Sequence, residues 1–139
     1  MSILNGTLLE EKLFDTAWKA RDRAWAPYSR FRVGAAVWVP ELETIFSGVN
    51  VENASYGATI CAERSAIVSI VSQHGKRTIG SVLVATDAED PAVPCALCLQ
   101  ALAEFCPPTL PILVANSSGI RQRYTLSDLL PHPFTSFIV

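Results

Sequence analysis

Thr59-Ile60-Cys61-Ala62-Glu63-Arg64 and, with its first residue 33 positions beyond Cys61, Pro94-Cys95-Ala96-Leu97-Cys98 are the stretches that organise this chain. Cys95 and Cys98 stand three apart, so at the start of a helix both side chains reach the same side. Pro94 suits the approach to such a helix. Cys61 and Glu63 stand two apart, which on a regular helix separates them by about 200°. Both can address one ion only if Cys61 stands where its helix begins and the chain is not yet regular. Two helix N-termini then point at the ion, and their free N–H groups and positive dipole ends favour thiolate over thiol. Three thiolates around one Zn²⁺ leave a single negative charge, which the dipoles and the adjacent Arg64 offset. Three protein ligands leave the fourth tetrahedral position for water, the mark of a catalytic rather than a structural zinc. Zinc lowers the pKa of its water towards roughly 7, and Glu63 is placed to shuttle the proton.

The other thiol-bearing and imidazole residues fit less well. Cys106 lies 11 residues beyond Cys95, on the same helical face but roughly 16 Å along the axis, so it reads as a buried structural thiol. A redox Cys-x-x-Cys would carry a Trp-Cys-Gly context that is absent here. Four buried cysteines without metal remain the competing reading; the joint spacing, proline and glutamate favour zinc. His74 and His132 fit no ligand spacing.

The chain has 139 residues, half of them apolar, and a formal charge of −2. That length suits one compact domain over 1–139. The apolar excess fits burial between subunits, so a homo-oligomer is expected. The charge argues against a basic track for nucleic acid, so a small substrate is expected. Met1–Gly6 contains no basic region followed by a long apolar run, and no apolar stretch reaches membrane-spanning length. Cysteines in such a chain read as thiols or metal ligands, and the expected location is cytoplasmic.

Outward from the cysteines, the pattern is α/β. Thr7 and Glu10 suggest a capping box opening a helix that runs to about Ala24, with Leu9, Leu13, Phe14, Ala17, Ala20 and Ala24 inward. Phe31–Val39 reads as a buried strand bounded by Pro40, and Ile45–Val51 as its returning partner. The thin middle of the first strand, Gly34-Ala35-Ala36, fits either close packing against a helix or room for a ligand. Asn50 and Glu52 alternate to one side of the chain leaving the second strand, where they could bind hydroxyl groups together. A helix is expected over Ala62–Ser72, with Ala66, Ile67, Ile70 and Val71 inward and Gly75 past its end. Ser81–Thr86, Pro111–Asn116 and Gln122–Tyr124 read as strands and Cys95–Phe105 as a helix. Thr125 and Asp128 cap a short final helix. Helices alternating with five strands predict a three-layer α/β domain.

Several ordered motifs together resemble the small, homotetrameric, zinc-dependent cytidine deaminases of the three-cysteine type. They are Ala26-Pro27-Tyr28-Ser29, Phe31-Arg32-Val33-Gly34-Ala35-Ala36, Asn50-Val51-Glu52-Asn53-Ala54-Ser55-Tyr56, Cys61-Ala62-Glu63-Arg64, Pro94-Cys95 with Cys98, and Leu129-Leu130-Pro131. The resemblance spans about Ala26 to Leu130. It implies an α/β/α cytidine-deaminase-like fold with a mixed five-stranded sheet and helices on both faces. It also implies one Zn²⁺ per subunit on Cys61, Cys95 and Cys98, hydroxide attacking C4 of a pyrimidine, and Glu63 moving the protons. Phe31 would stack near the base, Asn50 and Glu52 would hold ribose hydroxyls, and Ala62 would offer its N–H to the base carbonyl. Ala54, Tyr56 and Phe134 would reach a neighbouring subunit's pocket, and Arg64 would support the thiolates. The chain departs from the family's usual Pro-Cys-Gly-Ala-Cys-Arg-Gln at Ala96, Leu97 and Leu99.

The implied activity is hydrolytic deamination of free cytidine and deoxycytidine in pyrimidine salvage. A related aminopyrimidine nucleoside (a modified cytidine or a blasticidin-like compound) is the alternative substrate. A non-catalytic zinc-stabilised domain is the alternative outside the enzymes. Polynucleotide editing is disfavoured by the lack of a basic, aromatic-rich stripe.

Overall fold

Strict alternation along three strands divides the hydrophobic residues between two cores. In Ser81–Thr86, Val82 and Val84 enter one core while Leu83 and Ala85 enter the other. Ile112 and Val114 are divided in the same way from Leu113 and Ala115, and Val37 and Val39 from Ala36 and Trp38. A sheet apolar on both faces must be covered on both.

The structure, a computed structural model, describes residues 6–137; Met1–Asn5, where most of the export-signal reading fell, lie outside the described residues. Its elements are α1 (Gly6–Arg21), β1 (Val33–Val39), β2 (Thr44–Val49), α2 (Ala62–His74), β3 (Ser81–Thr86), α3 (Ala96–Ala103), β4 (Pro111–Asn116), β5 (Gly119–Thr125) and α4 (Leu126–Leu129). The strands form one mixed sheet in the order β2-β1-β3-β4-β5. Only β3 and β4 run parallel, as they must when α3 forms the crossover between them. Leu13 and Ala17 of α1 close one core; Ala66, Ile67 and Ile70 of α2, Leu102 of α3 and Leu126 of α4 close the other. Each fully buried Val, Leu or Ile contributes about 1.5–3 kcal/mol, which makes both layers obligatory.

Element boundaries differ from expectation for identifiable reasons. Helix α1 ends at Arg21 rather than Ala24 because Asp22, Arg23 and Ala24 donate to Lys19, Ala20 and Arg21, tightening the chain into three-residue turns. The Thr7/Glu10 capping box does not form: Thr7 lies within α1, and Glu10 Oε2 pairs with Arg123 at 2.6 Å. Phe31 and Arg32 stay outside β1, since the Phe31 carbonyl accepts from the Asn50 amide and its N–H donates to the Ser29 hydroxyl. Helix α2 continues to His74, and Val71 faces outward at 39% exposure rather than joining Ala66 and Ile67. Helix α3 stops at Ala103, and β5 begins at Gly119.

The thin middle of β1 is explained by packing. A Cβ on Gly34 would run into the Ala17 carbonyl oxygen of α1, and one on Gly48 into the Ala62 carbonyl oxygen of α2. Glycine at these two positions lets both helices sit directly on the hairpin. The second contact fixes where α2 begins, and so where Cys61 and Glu63 stand.

Candidate active site

Three backbone connections assemble the site. Trp25 N–H donates to the Asn50 carbonyl and Glu52 N–H to the Trp25 carbonyl, while Val51 and Ile60 exchange both their bonds. The segment after β2 is thereby held between the end of the α1 connection and the chain entering α2. Asn50 and Glu52 are buried (8% and 4% exposed), although they belong to a loop rather than a strand. A cavity of about 250 Å³ opens beside them, near the small end of ligand clefts. Its wall includes Phe31, Asn50, Glu52, Tyr56, Cys61, Ala62, Glu63 and Cys95.

Cys61 is the N-cap of α2 (φ −72°, ψ 157°) and Cys95 the N-cap of α3 (φ −71°, ψ 166°). Both are extended, which resolves the 200° separation of Cys61 and Glu63 expected on a regular helix. Cys98 lies in the first turn of α3, fully buried. The sulfurs of Cys61, Cys95 and Cys98 all lie within 4.8 Å of one another, with Cys95 and Cys98 3.6 Å apart. Tetrahedral zinc with Zn–S bonds of about 2.3 Å separates its sulfurs by about 3.8 Å. The donor set and its spacing therefore fit zinc.

The electrostatics fit a cation as well. Burial pushes the Cys98 thiol far above its ordinary value, reinforced by negative charge at Glu63 and Cys61. Burial also opposes ionisation of Cys95, but N–H groups of Cys98 and Leu97 bring it below its ordinary value. Three sulfurs beside a carboxylate share negative charge comfortably only around a divalent cation. Arg64 Nη2 donates to Cys61 Sγ at 3.4 Å, and that contact raises the already high Arg64 pKa. Arg64 does not line the cavity. Glu63 is 4% exposed, and burial raises its carboxyl above the usual range. A buried carboxyl with its pKa moved towards neutrality can both take and return a proton.

Other expected residues are distributed unevenly. Tyr56 lines the cavity of its own chain; Ala54 is exposed and Phe134 is 66% exposed, and neither lines it. The backbone of Phe134 is held by the Gln100 amide, which donates to its carbonyl at 2.6 Å and accepts from its N–H at 3.1 Å. Leu97 points outward at 67% exposure and does not line the cavity, while Leu99 is buried in the core shared with α2. The departures from the family pattern are thus spent on surface and core. Cys106 stands apart, with its thiol donating to the Leu102 carbonyl and pushed up to about 11 by burial.

Sequence reasoning gave no role to Ser29, Thr59, Thr86, Ala92 or Val93, which also line the cavity. Ser29 was visible within Pro27-Tyr28-Ser29, and Val93 only through its place before Pro94. Beyond the wall, Arg21 Nη1 grips both Asp87 oxygens at 2.7 and 2.8 Å and its guanidinium stacks 3.9 Å from Trp18. Asn116 donates to the carbonyls of Ala88 and Glu89. Together they pin the start of the loop that leads to Cys95.

Comparison with known proteins adds lineage to this geometry. Residues 9–114 match the cytidine and deoxycytidylate deaminase zinc-binding region. The chain is 41% identical over 126 residues to the cytidine deaminase of Halalkalibacterium halodurans, covering 91% of this chain and 94% of that protein. It is 42% identical over 125 residues to the cytidine deaminase of Sporosarcina psychrophila, covering 90% of each. The crystal structure of cytidine deaminase from Burkholderia pseudomallei superposes with a TM-score of 0.82 at 38% identity, over 89% of this chain and 98% of that one. With its cysteines and buried glutamate in place on the shared fold, the chain belongs to the cytidine and deoxycytidylate deaminase family.

Proposed function

We propose that the protein converts cytidine and deoxycytidine hydrolytically to uridine and deoxyuridine with release of ammonia, as one domain spanning 1–139. The observation that carries this reading is a buried glutamate in the wall of a cavity that also holds Asn50, Glu52 and two of three clustered sulfurs, those of Cys61 and Cys95, with the third, Cys98, buried behind them. Cys61, Cys95 and Cys98 would hold the zinc, which when bound activates water as a Lewis acid. Glu63 takes a proton from the attacking water, delivers it to N3 of the pyrimidine and assists the amino group in leaving as ammonia. The C4–N bond breaks and the new carbonyl oxygen comes from water. The Ala62 N–H, one of the unpaired donors in the first turn of α2, meets the base carbonyl. Phe31 contacts the ring, and Asn50 and Glu52 hold the sugar hydroxyls.

The assembly belonging to this reading is a homotetramer. Trp25, Tyr28, Phe31, Tyr56 and Phe134 are between 40% and 66% exposed, with the Tyr28 and Tyr56 rings edge to face 6.3 Å apart, aromatic surface that subunit contacts would cover. Ala54 and Phe134, outside their own cavity, are assigned to the pocket of a neighbouring subunit. Among the described residues no helix is long and apolar enough to cross a membrane; a cytoplasmic place in pyrimidine salvage is part of the same proposal.

A panel of nucleosides assayed for ammonia release by metal-analysed protein tests the substrate. Cytidine and deoxycytidine should both be consumed. Turnover confined to a modified cytidine or a blasticidin-like compound would replace the substrate. Zinc-replete protein that turns over none of them would mark a non-catalytic zinc domain.

A further inference from the structure

The segment Tyr28–Phe31 is held almost entirely by groups that the proposed reaction uses to bind its nucleoside. Glu52 Oε1 accepts from the N–H groups of Tyr28 and Ser29 at 3.0 and 3.1 Å, and Oε2 accepts a short hydrogen bond from the Ser29 hydroxyl. The Ser29 oxygen in turn accepts from Phe31 N–H at 3.0 Å. Asn50 completes the grip, donating to the Phe31 carbonyl at 2.7 Å and accepting from Val33 N–H at 2.8 Å. A left-handed residue, Arg30 at φ 59°, lies between Ser29 and Phe31. A non-glycine residue keeps that conformation only where its surroundings over-determine it, and the Ser29 hydroxyl bridges the two residues on either side.

We propose that Ser29 is a positioning residue for nucleoside recognition: its one hydroxyl aligns the Glu52 carboxylate for the sugar hydroxyls and the Phe31 ring for the base. This rests on the assignment of Glu52 to sugar binding. The hydroxyl has one proton, which goes to Glu52, so its oxygen is left to accept from Phe31. Sugar and base contacts are therefore built on one atom. Glu52 is correspondingly held below the usual carboxylate range, first of all by the Ser29 hydroxyl. An ionised, aimed carboxylate is the acceptor that a sugar hydroxyl needs. Replacing the hydroxyl frees one carboxylate oxygen and leaves Phe31 N–H without its acceptor.

The test compares cytidine with 2′,3′-dideoxycytidine on zinc-loaded wild type, Ser29→Ala, Ser29→Thr and Glu52→Gln. Ser29→Ala should raise KM for cytidine about tenfold, the scale of one charge-assisted hydrogen bond, with kcat within about threefold. The preference for cytidine over the dideoxy compound should fall towards that of Glu52→Gln, and Ser29→Thr should restore it. An equal loss on both substrates would overturn the alignment of Glu52 by Ser29, and a loss that tracks zinc content and melting temperature and is not restored by Thr would reduce Ser29 to a structural residue. If Ser29→Ala does not fold, Ser29→Cys, a weaker donor, carries the same comparison. An unchanged preference in Glu52→Gln would overturn the sugar-binding assignment itself and the Ser29 proposal with it. A lost preference in Glu52→Gln but not in Ser29→Ala would overturn the Ser29 proposal alone.

Discussion

Glu63→Gln is expected to lower kcat for cytidine by about 10³-fold or more, near the upper range for loss of a general acid–base group. Zinc content and melting temperature should be unchanged, because the three-sulfur cluster does not include Glu63. The substitution also replaces a buried carboxyl, 4% exposed, by a neutral group of the same shape, which adds no burial cost. The amide still hydrogen-bonds but has no basic oxygen to accept and return a proton. Loss of activity with zinc retained assigns the proton transfers to Glu63. Retained activity, or a loss proportional to missing zinc, contradicts that role.

Cys98→Ala should abolish both zinc retention and turnover. Groups that merely orient a metal ligand are worth about 10–100-fold in affinity, so removal of a ligand should cost at least the upper end of that range. Two sulfurs would remain at helix starts, with Arg64 beside one of them. Cys106→Ala is the control. It removes a thiol that is bonded to Leu102 and belongs to no metal cluster among the described residues, so zinc should stay stoichiometric. The check is metal analysis after gel filtration with ammonia release on the same fractions. A Cys98→Ala protein with full zinc, or a Cys106→Ala protein without it, would mean that the wrong sulfurs have been assigned.

The metal cluster was legible because its chemistry is local. Cys95, Cys98 and Pro94 lie within one turn, and the two-residue step from Cys61 to Glu63 demanded an extended N-cap, the conformation that Cys61 adopts. The sheet was legible through β3 and β4, whose uninterrupted apolar runs allow only burial on both faces. Long-range choices were not. Whether Gly34 made room for ligand or for a helix depended on where α1 would land. Glu10 follows Thr7 at capping-box spacing, yet Arg123 lies 113 residues away in sequence and 2.6 Å away in space. Ser29 was seen only as part of a motif, since nothing in its neighbours announces a carboxylate at position 52. The departures from the family pattern at Leu97 and Leu99 showed no direction in the sequence; the first turn of α3 sends Leu97 to solvent and Leu99 into the core.

In the proposed reaction, water deprotonated by Glu63 beside the one zinc that Cys61, Cys95 and Cys98 would hold replaces the amino group of a cytosine nucleoside. Deamination of cytidine in ¹⁸O-enriched water by zinc-loaded protein tests it most directly, with product mass and ammonia measured together. The expected product is uridine carrying one solvent-derived oxygen, with one ammonia for each uridine formed. Uridine without the label, ammonia out of proportion to uridine, or intact cytidine after incubation with zinc-replete protein would contradict it.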